Sequence, residues 1–403
     1  MKTTIPFVLL TCAMLAAETN SNAAATNDSI KWKLLPAISY NADAGVELGA
    51  MFQLVGVSGG KKDYSWKFQP EFIFTTGGEI RPRIFFDFPS LMLLDRTMRI
   101  TTLIDYRLIM FETFDGFGGT DDELGYAASN ENNYYYRYRR NAVRINALAA
   151  VPVLGGKKAG HGWELSGILG VYAEYYYFTN SISISGVMYP SRLMDERPYG
   201  IAGGLVTAFV GGVSFDDRDF EPNPHSGCFT ELKVEIASRY IGSAYDYVRL
   251  TFMQKAFFTF IPGYTNLVFA ERFIYDELFG AVPFFKTEYI NLTPAARGPG
   301  GKDTLRGVPI YRYRGETQAV VNVELRWRFF DWELFEDQWH MELVAFADLG
   351  MIAREPSQFS WQRLIVSGGP GFRLAWSEDF IVMLDVGFWR QDVKVYLDID
   401  QMF

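Results

Sequence analysis

Three histidines, two cysteines and two short acidic runs are the residues of this chain whose types could do chemistry on their own. Their spacing organises little. His161 lies between Gly160 and Gly162, His225 sits in a Pro-rich turn, and His340 opens an alternating segment. None pairs with a nucleophile in a recognisable base–nucleophile arrangement, and the three lie too far apart to show ligand spacing. Cys12 and Cys228 cannot build a disulfide framework or a four-thiolate zinc site. Asp121-Asp122-Glu123 and Asp195-Glu196 could hold a divalent cation, or bridge through one to lipopolysaccharide, although such runs are more often solvated loops. The expectation is a protein without catalytic residues, metal or cofactor, with membrane lipids and lipopolysaccharide as its surroundings.

Charges of both signs on one side of alternating segments are the stronger signal. In 318–329 the even positions are Gln318, Val320, Asn322, Glu324, Arg326 and Arg328, while the odd ones are Ala319, Val321, Val323, Leu325, Trp327 and Phe329. That is the period of a strand, not of a helix. The next segment repeats it, with His340, Glu342, Phe346, Asp348 and Gly350 opposite Met341, Leu343, Ala345, Ala347 and Leu349. Glu231, Lys233 and Glu235 alternate with Leu232, Val234 and Ile236, and Val393, Val395, Leu397, Ile399 and Phe403 with Lys394, Tyr396, Asp398 and Asp400.

Composition narrows what such strands can build. The 403 residues are 49% hydrophobic and 16% aromatic, with a net charge of -9. The acidic balance excludes the basic face of a nucleic-acid binder, and the apolar content excludes disorder. Lys2, an apolar stretch from Ile5 to Ala17 and the small residues Ala23-Ala24-Ala25 describe a secretory signal peptide over 1–25. Thr11 is a poor residue before a lipidated Cys12, so a lipoprotein box is rejected. Removing 1–25 takes away Lys2 and Glu18, one charge of each sign, and leaves the net charge unchanged. Residues 26–33 then read as a short periplasmic leader and 34–403 as the folded unit.

No apolar run approaches the roughly 18–20 residues of a membrane helix. Long alternating segments with an apolar outer face, a polar inner face and aromatic clusters at their ends instead describe an all-β, transmembrane antiparallel β-barrel. The clusters are Tyr134-Tyr135-Tyr136, Tyr175-Tyr176-Tyr177-Phe178, and Phe257-Phe258 near Phe260. Closure satisfies every backbone group without an exposed edge. Strands are expected at 34–40, 45–55, 64–76, 80–88, 97–111, 134–154, 163–178 and 200–215. Eight more follow at 229–240, 247–261, 266–278, 318–329, 340–351, 364–376, 380–389 and 393–403. Sixteen is even, as a single-chain bacterial barrel requires, and the long connections 116–133, 180–198 and 280–315 then share one side, outside a barrel that starts in the periplasm. The expected location is the bacterial outer membrane.

Ordered motifs in the second half resemble those of the outer-membrane protein 85 superfamily, the bacterial surface antigen family of barrel-assembly and two-partner-secretion proteins. Asp216-Asp217-Arg218-Asp219, followed by Asn223-Pro224-His225-Ser226-Gly227, is similar to a periplasmic turn motif carried here by Asp216, Arg218, Asp219, Pro224 and Gly227. Leu305-Arg306-Gly307-Val308 resembles the motif of the sixth external loop, with Val308 where an aromatic residue is usual. Asn322-Val323-Glu324-Leu325-Arg326, Phe346-Ala347-Asp348-Leu349-Gly350 and Gly369-Pro370-Gly371-Phe372-Arg373 resemble the strands that follow it. The first half matches through Pro36, Tyr40, Gly45 and Gly49, and through Phe114-Asp115-Gly116-Phe117-Gly118.

The resemblance implies that the long loop folds into the lumen, where Arg306 and Gly307 meet Asp348. Glu324, Arg326, Phe346, Gly350, Gly369, Gly371 and Arg373 would line the contact. Period two points Phe346, Asp348, Gly350, Glu324 and Arg326 inward, and opposed charges attract more strongly at reduced dielectric. The aromatic Phe403 is similar to the signal by which such barrels are themselves inserted by the barrel-assembly machinery. Relatives that insert or secrete proteins carry POTRA domains before the barrel; about eight residues between the cleavage site and the first strand leave no room for one. The function expected is therefore a stand-alone barrel with a plugged or gated lumen, serving outer-membrane biogenesis or transport. A porin-like diffusion channel is the alternative, and a lipid-modifying enzyme of the outer membrane a more distant one. Girdle aromatics leave room for a homodimer.

Overall fold

The computed structural model describes residues 29–57, 64–93, 96–124, 135–156, 162–179, 181–184, 187–221, 223–261, 266–292, 298–334, 337–376, 380–390, 392–399 and 401–403. The segment 1–25 lies outside the described residues. Sixteen antiparallel strands close into one barrel in sequence order. They are β1 Ser29–Asn41, β2 Gly45–Val57, β3 Trp66–Thr75, β4 Glu79–Leu93, β5 Arg96–Thr113, β6 Arg137–Gly155, β7 Glu164–Thr179 and β8 Gly204–Asp216. The second half comprises β9 Gly227–Ala237, β10 Tyr247–Phe260, β11 Leu267–Gly280, β12 Thr317–Leu334, β13 Asp337–Ala353, β14 Ile365–Trp376, β15 Phe380–Trp389 and β16 Asp392–Ile399. Each expected strand has its counterpart. The first begins at Ser29, inside the stretch read as a leader, and the last ends at Ile399, short of Phe403.

Alternation explains the wall. Inward side chains such as Glu71, Asp105, Glu174, Lys233, Arg249 and Asp276 are buried, while outward ones such as Phe72, Leu169, Phe209, Trp327 and Leu343 are exposed. Charge inside and apolar surface outside inverts the soluble pattern and suits a lipid surround. The inner charges pair across strands: Arg83–Glu71 at 2.6 Å, Arg107–Glu79 at 2.6 Å, Arg140–Glu112 at 3.0 Å. A thirteen-residue strand is about 44 Å long, enough to cross the hydrocarbon core at a tilt near 45°. No helix among the described residues is long and apolar enough to cross a membrane.

All long connections leave one end of the barrel. The β5–β6 connection carries a helical turn, α1, at Asp121–Leu124, and the β7–β8 connection a hairpin (Ser181–Ile184 with Val187–Pro190) and a short helix, α2, at Arg192–Glu196. The hairpin has no counterpart among the expected strands; four-residue arms are too short for period two to register. Consecutive aromatics divide between the faces. Tyr175 and Tyr177 are exposed, but Tyr176 and Phe178 turn inward and pack with Phe284 and Phe285 of the β11–β12 connection. Tyr135 and Tyr136 precede β6 in a turn, and Phe257 faces inward. At the short-turn end Trp332, Trp339 and Trp376 stack in a row on adjacent strands, with centroids 5.9 and 5.6 Å apart.

Candidate functional site

The β11–β12 connection, the sixth on its side, sits inside the barrel. Its residues Phe284–Lys286, Glu288, Ile290, Leu305, Arg306, Val308 and Arg314 are buried. Apolar anchors begin it, since Phe284 and Phe285 fill the aromatic cluster of β6 and β7. Lys286 follows, ion-paired with Glu174 and lying 3.6 Å from Glu235. Burial alone would lower the Lys286 ammonium, but Glu174, Tyr247 and Glu235 outweigh it and hold the pKa above its ordinary value. Glu288 accepts from Arg140 and, at 3.0 Å, from Arg314, so the connection carries both signs of charge to the wall.

Arg306 is the centre of the densest cluster. Its backbone N–H and Nε donate to Asp348 Oδ2 at 3.0 and 2.9 Å, and Nη2 donates to Oδ1 at 2.9 Å. Nη1 donates to Glu324 Oε1 at 2.5 Å and to Asp385 Oδ2 at 2.9 Å. The guanidinium lies 3.5 Å from the centre of the Phe346 ring. Asp348 is fixed in turn by Asn322 Nδ2 at 2.8 Å, Glu324 by Arg326 Nε at 2.8 Å, and Asp385 by Arg373 Nη1 at 2.5 Å. Three arginines thus face three carboxylates in a shared buried network. A bidentate fork on one carboxylate plus two further acceptors uses the guanidinium geometry as lysine could not. Burial opposes the charge on Arg306, but Asp348 and Glu324 outweigh it and raise the pKa.

Backbone approach is as close as the charges. Gly307 has φ 96° and donates its N–H to the Tyr396 hydroxyl at 3.1 Å. A Cβ on Gly387 of β15 would lie 2.5 Å from Gly307 N and 2.6 Å from Arg306 C, so a glycine there is what admits the connection. Gly350 similarly faces Leu305, while Gly369 and Gly371 lie beside Phe346 and Asp385. Arg326 does not touch the connection among the described residues; it donates Nη2 to the Phe403 carbonyl at 3.1 Å. Asp385, Gly387 and Tyr396 are the members that sequence reasoning missed, while Asn322 lay within a quoted motif without a role. A signal existed for two of them, because Asp385-Val386-Gly387 repeats the D-x-G of Asp348-Leu349-Gly350.

Other expected residues fall elsewhere. In the β8–β9 turn Arg218 Nε and Nη2 donate to the two oxygens of Asp216 at 2.9 and 3.0 Å, and Asp219 Oδ1 accepts from the backbone of Phe220 and His225. Gly227 takes φ 95°, and Pro224 is buried. Phe403 was expected on the outer face of the last strand. Instead the tail leaves the sheet after Ile399, and Phe403 is buried inside, against Phe257 and Ala270 and beneath Arg272 and Arg326. In the acidic runs Asp121 accepts from Arg312, Tyr313 and Arg390, and Asp195 from Tyr135, while the side chains of Asp122 and Glu123 lie outside the described residues. His340 lies 3.1 Å from Glu342, and His161 is outside the described residues.

The closing seam is the weakest joint in the wall. β1 and β16 share the register pairs Tyr40–Leu397 and Asn41–Tyr396, whereas β1 and β2 pair along the whole length from Ser29 to Asn41. Polar groups reinforce it. Lys394 of β16 pairs with Asp43 in the β1–β2 turn, whose Oδ1 also accepts from Ile310 N at 3.3 Å. Lys302 pairs with Asp398 of β16. The sixth connection therefore touches both sides of the seam.

A family model for the Omp85 superfamily domain matches residues 204–377. No curated protein matches the sequence. Among solved structures, BamA from Haemophilus ducreyi lacking POTRA domains 1-3 aligns with a TM-score of 0.56 at 10% identity, over 96% of this chain and 75% of that one. CdiB from Escherichia coli aligns with a TM-score of 0.56 at 11% identity, over 96% and 67%. CdiB from Acinetobacter baumannii gives 0.53 at 10% identity, over 92% of this chain and 59% of that one, so the chain spans less than two thirds of that protein. Likeness at these identities is a likeness of fold.

Proposed function

Since the chain carries an Omp85 superfamily domain in an outer-membrane barrel, we propose that it serves outer-membrane biogenesis or transport with a lumen closed by its sixth loop. In this reading the long connections face outward and the short turns face the periplasm. The carrying observation is Arg306, fully buried and shared among Asp348, Glu324 and Asp385 on β13, β12 and β15. A constriction loop of a diffusion channel would not require this arginine shared among three wall carboxylates. Single-channel recording in planar bilayers tests the reading. The intact barrel is expected to give silent or flickering, low-conductance traces, and a variant lacking residues 290–312 large steady openings. Equal, steady conductance from both would remove the closed lumen and favour a porin.

The seam supports a role for lateral opening in the same activity. Two register pairs leave most of the β1 edge without a strand partner among the described residues, which is costly in lipid. A Tyr40→Cys/Leu397→Cys pair, made with Cys228→Ser, is expected to oxidise to a disulfide and stabilise the barrel by about 2–4 kcal/mol. An unfolding midpoint unchanged by oxidation would mean that the first transition begins elsewhere in the wall.

A further inference from the structure

The short-turn mouth of the barrel contains a polar pocket that shares Arg326 with the loop cluster and lies on its far side from the loop. It has a volume of about 70 Å³ and is lined by Asn223, His225, Asn266, Arg326, Arg328 and Glu342 among others. A single water needs roughly 10–15 Å³ by this kind of measure, so the space suits a small polyatomic group. Two of its walls carry donors that are held in place and have no acceptor among the described residues.

Asn223 is 2% exposed. Its Oδ1 accepts from Gln401 Nε2 at 3.3 Å, which fixes the amide orientation, and its Nδ2 has no acceptor among the described residues. Arg326 is 3% exposed. Its Nε is taken by Glu324, its Nη2 by the Phe403 carbonyl, and its plane lies near the Phe257 and Phe403 rings. The remaining nitrogen, Nη1, has no acceptor among the described residues. Buried, fixed donors without partners are uncommon, because each loses its hydration without replacement. Their shared demand is for an acceptor between them.

Charge chooses among acceptors. Arg326 and Arg328 both face the pocket, and Arg328 is ion-paired with Asp331. Glu342 is the opposing carboxylate; its Oε2 accepts from Gln401 Nε2 at 3.4 Å, and its Oε1 lies 3.1 Å from His340 Nε2. A charge-assisted bond from a guanidinium is stronger to an ionised oxygen than to a neutral one. We propose that this mouth binds a small oxyanion, a carboxylate or a phosphate group, between Asn223 Nδ2 and Arg326 Nη1. The half-buried His225 and the exposed Asn266 form its open rim. That the rim faces the periplasm rests on the orientation proposed above; the binding itself does not.

The test uses the full chain in detergent, with chloride replaced by acetate or by phosphate at constant ionic strength. The thermal unfolding midpoint is expected to rise saturably, by about 3 °C at high occupancy. Asn223→Asp places a carboxylate opposite Arg326 Nη1 from within, and should abolish the response. Asn223→Ala should raise the half-saturating concentration about tenfold or more. Both variants are first checked for the heat-modifiable band of a closed barrel. A response to acetate alone identifies a carboxylate site, and one to phosphate alone a phosphate site. No response from the intact chain to either anion means that water fills the pocket and overturns the proposal. So does a response of equal size in Asn223→Asp.

Discussion

Arg306→Ala is expected to release the sixth loop and, with the lumen closed as proposed, to turn the barrel into a conducting one. The cluster balances Arg306, Arg326 and Arg373 against Glu324, Asp348 and Asp385. Deleting one arginine leaves an uncompensated carboxylate where neither Asp348 nor Glu324 reaches solvent. Breaking a buried pair from one side costs about 3–5 kcal/mol, mostly because the abandoned charge stays buried. The loop can relieve that cost by lifting out, so conductance and protease sensitivity of the loop should both rise. Asp348→Ala leaves the opposite excess and should act in the same direction. The double variant restores balance and is expected to lose less than the sum of the single ones. Arg306→Lys keeps the charge but not the fork, and should fall between wild type and Arg306→Ala. Unchanged conductance and proteolysis in both alanine variants would show that the cluster does not hold the loop.

Gly387→Val is expected to give the same open phenotype without touching a charge. The added Cβ would stand 2.5 Å from Gly307 N, against backbone that has no side-chain freedom to yield. Gly387 does not take a positive φ, so valine suits the strand itself and β15 should remain in the wall. The only relief is movement of the Arg306–Gly307 segment, which forfeits the Asp348 and Tyr396 bonds together. Overpacking of this kind costs about 1–3 kcal/mol, and here it falls on the loop rather than on the sheet. Gly387→Ala, with the same Cβ but no further atoms, should open less often. A silent Gly387→Val channel with an intact barrel would mean that the loop can shift while staying inside.

The wall was legible because sixteen long segments repeat one period, and a chain with apolar residues facing out and charges facing in has one way to close in lipid. Strand ends were less so. β1 starts earlier than expected, although Ile30, Trp32 and Leu34 already alternate there with Lys31 and Lys33, and the tail after Ile399 departs from the sheet although Phe403 keeps the outward parity. Alternation says which face a residue would take if the strand continued, and nothing about whether it does. At the loop, motif likeness drew attention to Arg306 and Asp348, which the structure sets in contact. Asp385 lies two strands away from Asp348 on the wall, and such company is a matter of barrel curvature that pairwise spacing does not encode. Tyr396 and Asp43 were missed for the same reason, as was Asp121, whose acidic neighbours suggested a cation site rather than a partner for Arg312.

The distances along the chain between bonded partners imply an order of assembly. Arg306 finds Glu324, Asp348 and Asp385 within 18, 42 and 79 residues, whereas Lys394 and Asp43 are separated by 351. Chain entropy favours the shorter closures, and they need no contribution from β1 to β7. The carboxyl-terminal half can therefore form as a curved sheet already holding the Arg306 tip of its loop on the concave side. The amino-terminal strands then add around that occupied hollow, and the final joint, between β16 and β1, is made last and from the least material. A barrel built in this sequence never has to thread its own loop through a finished wall.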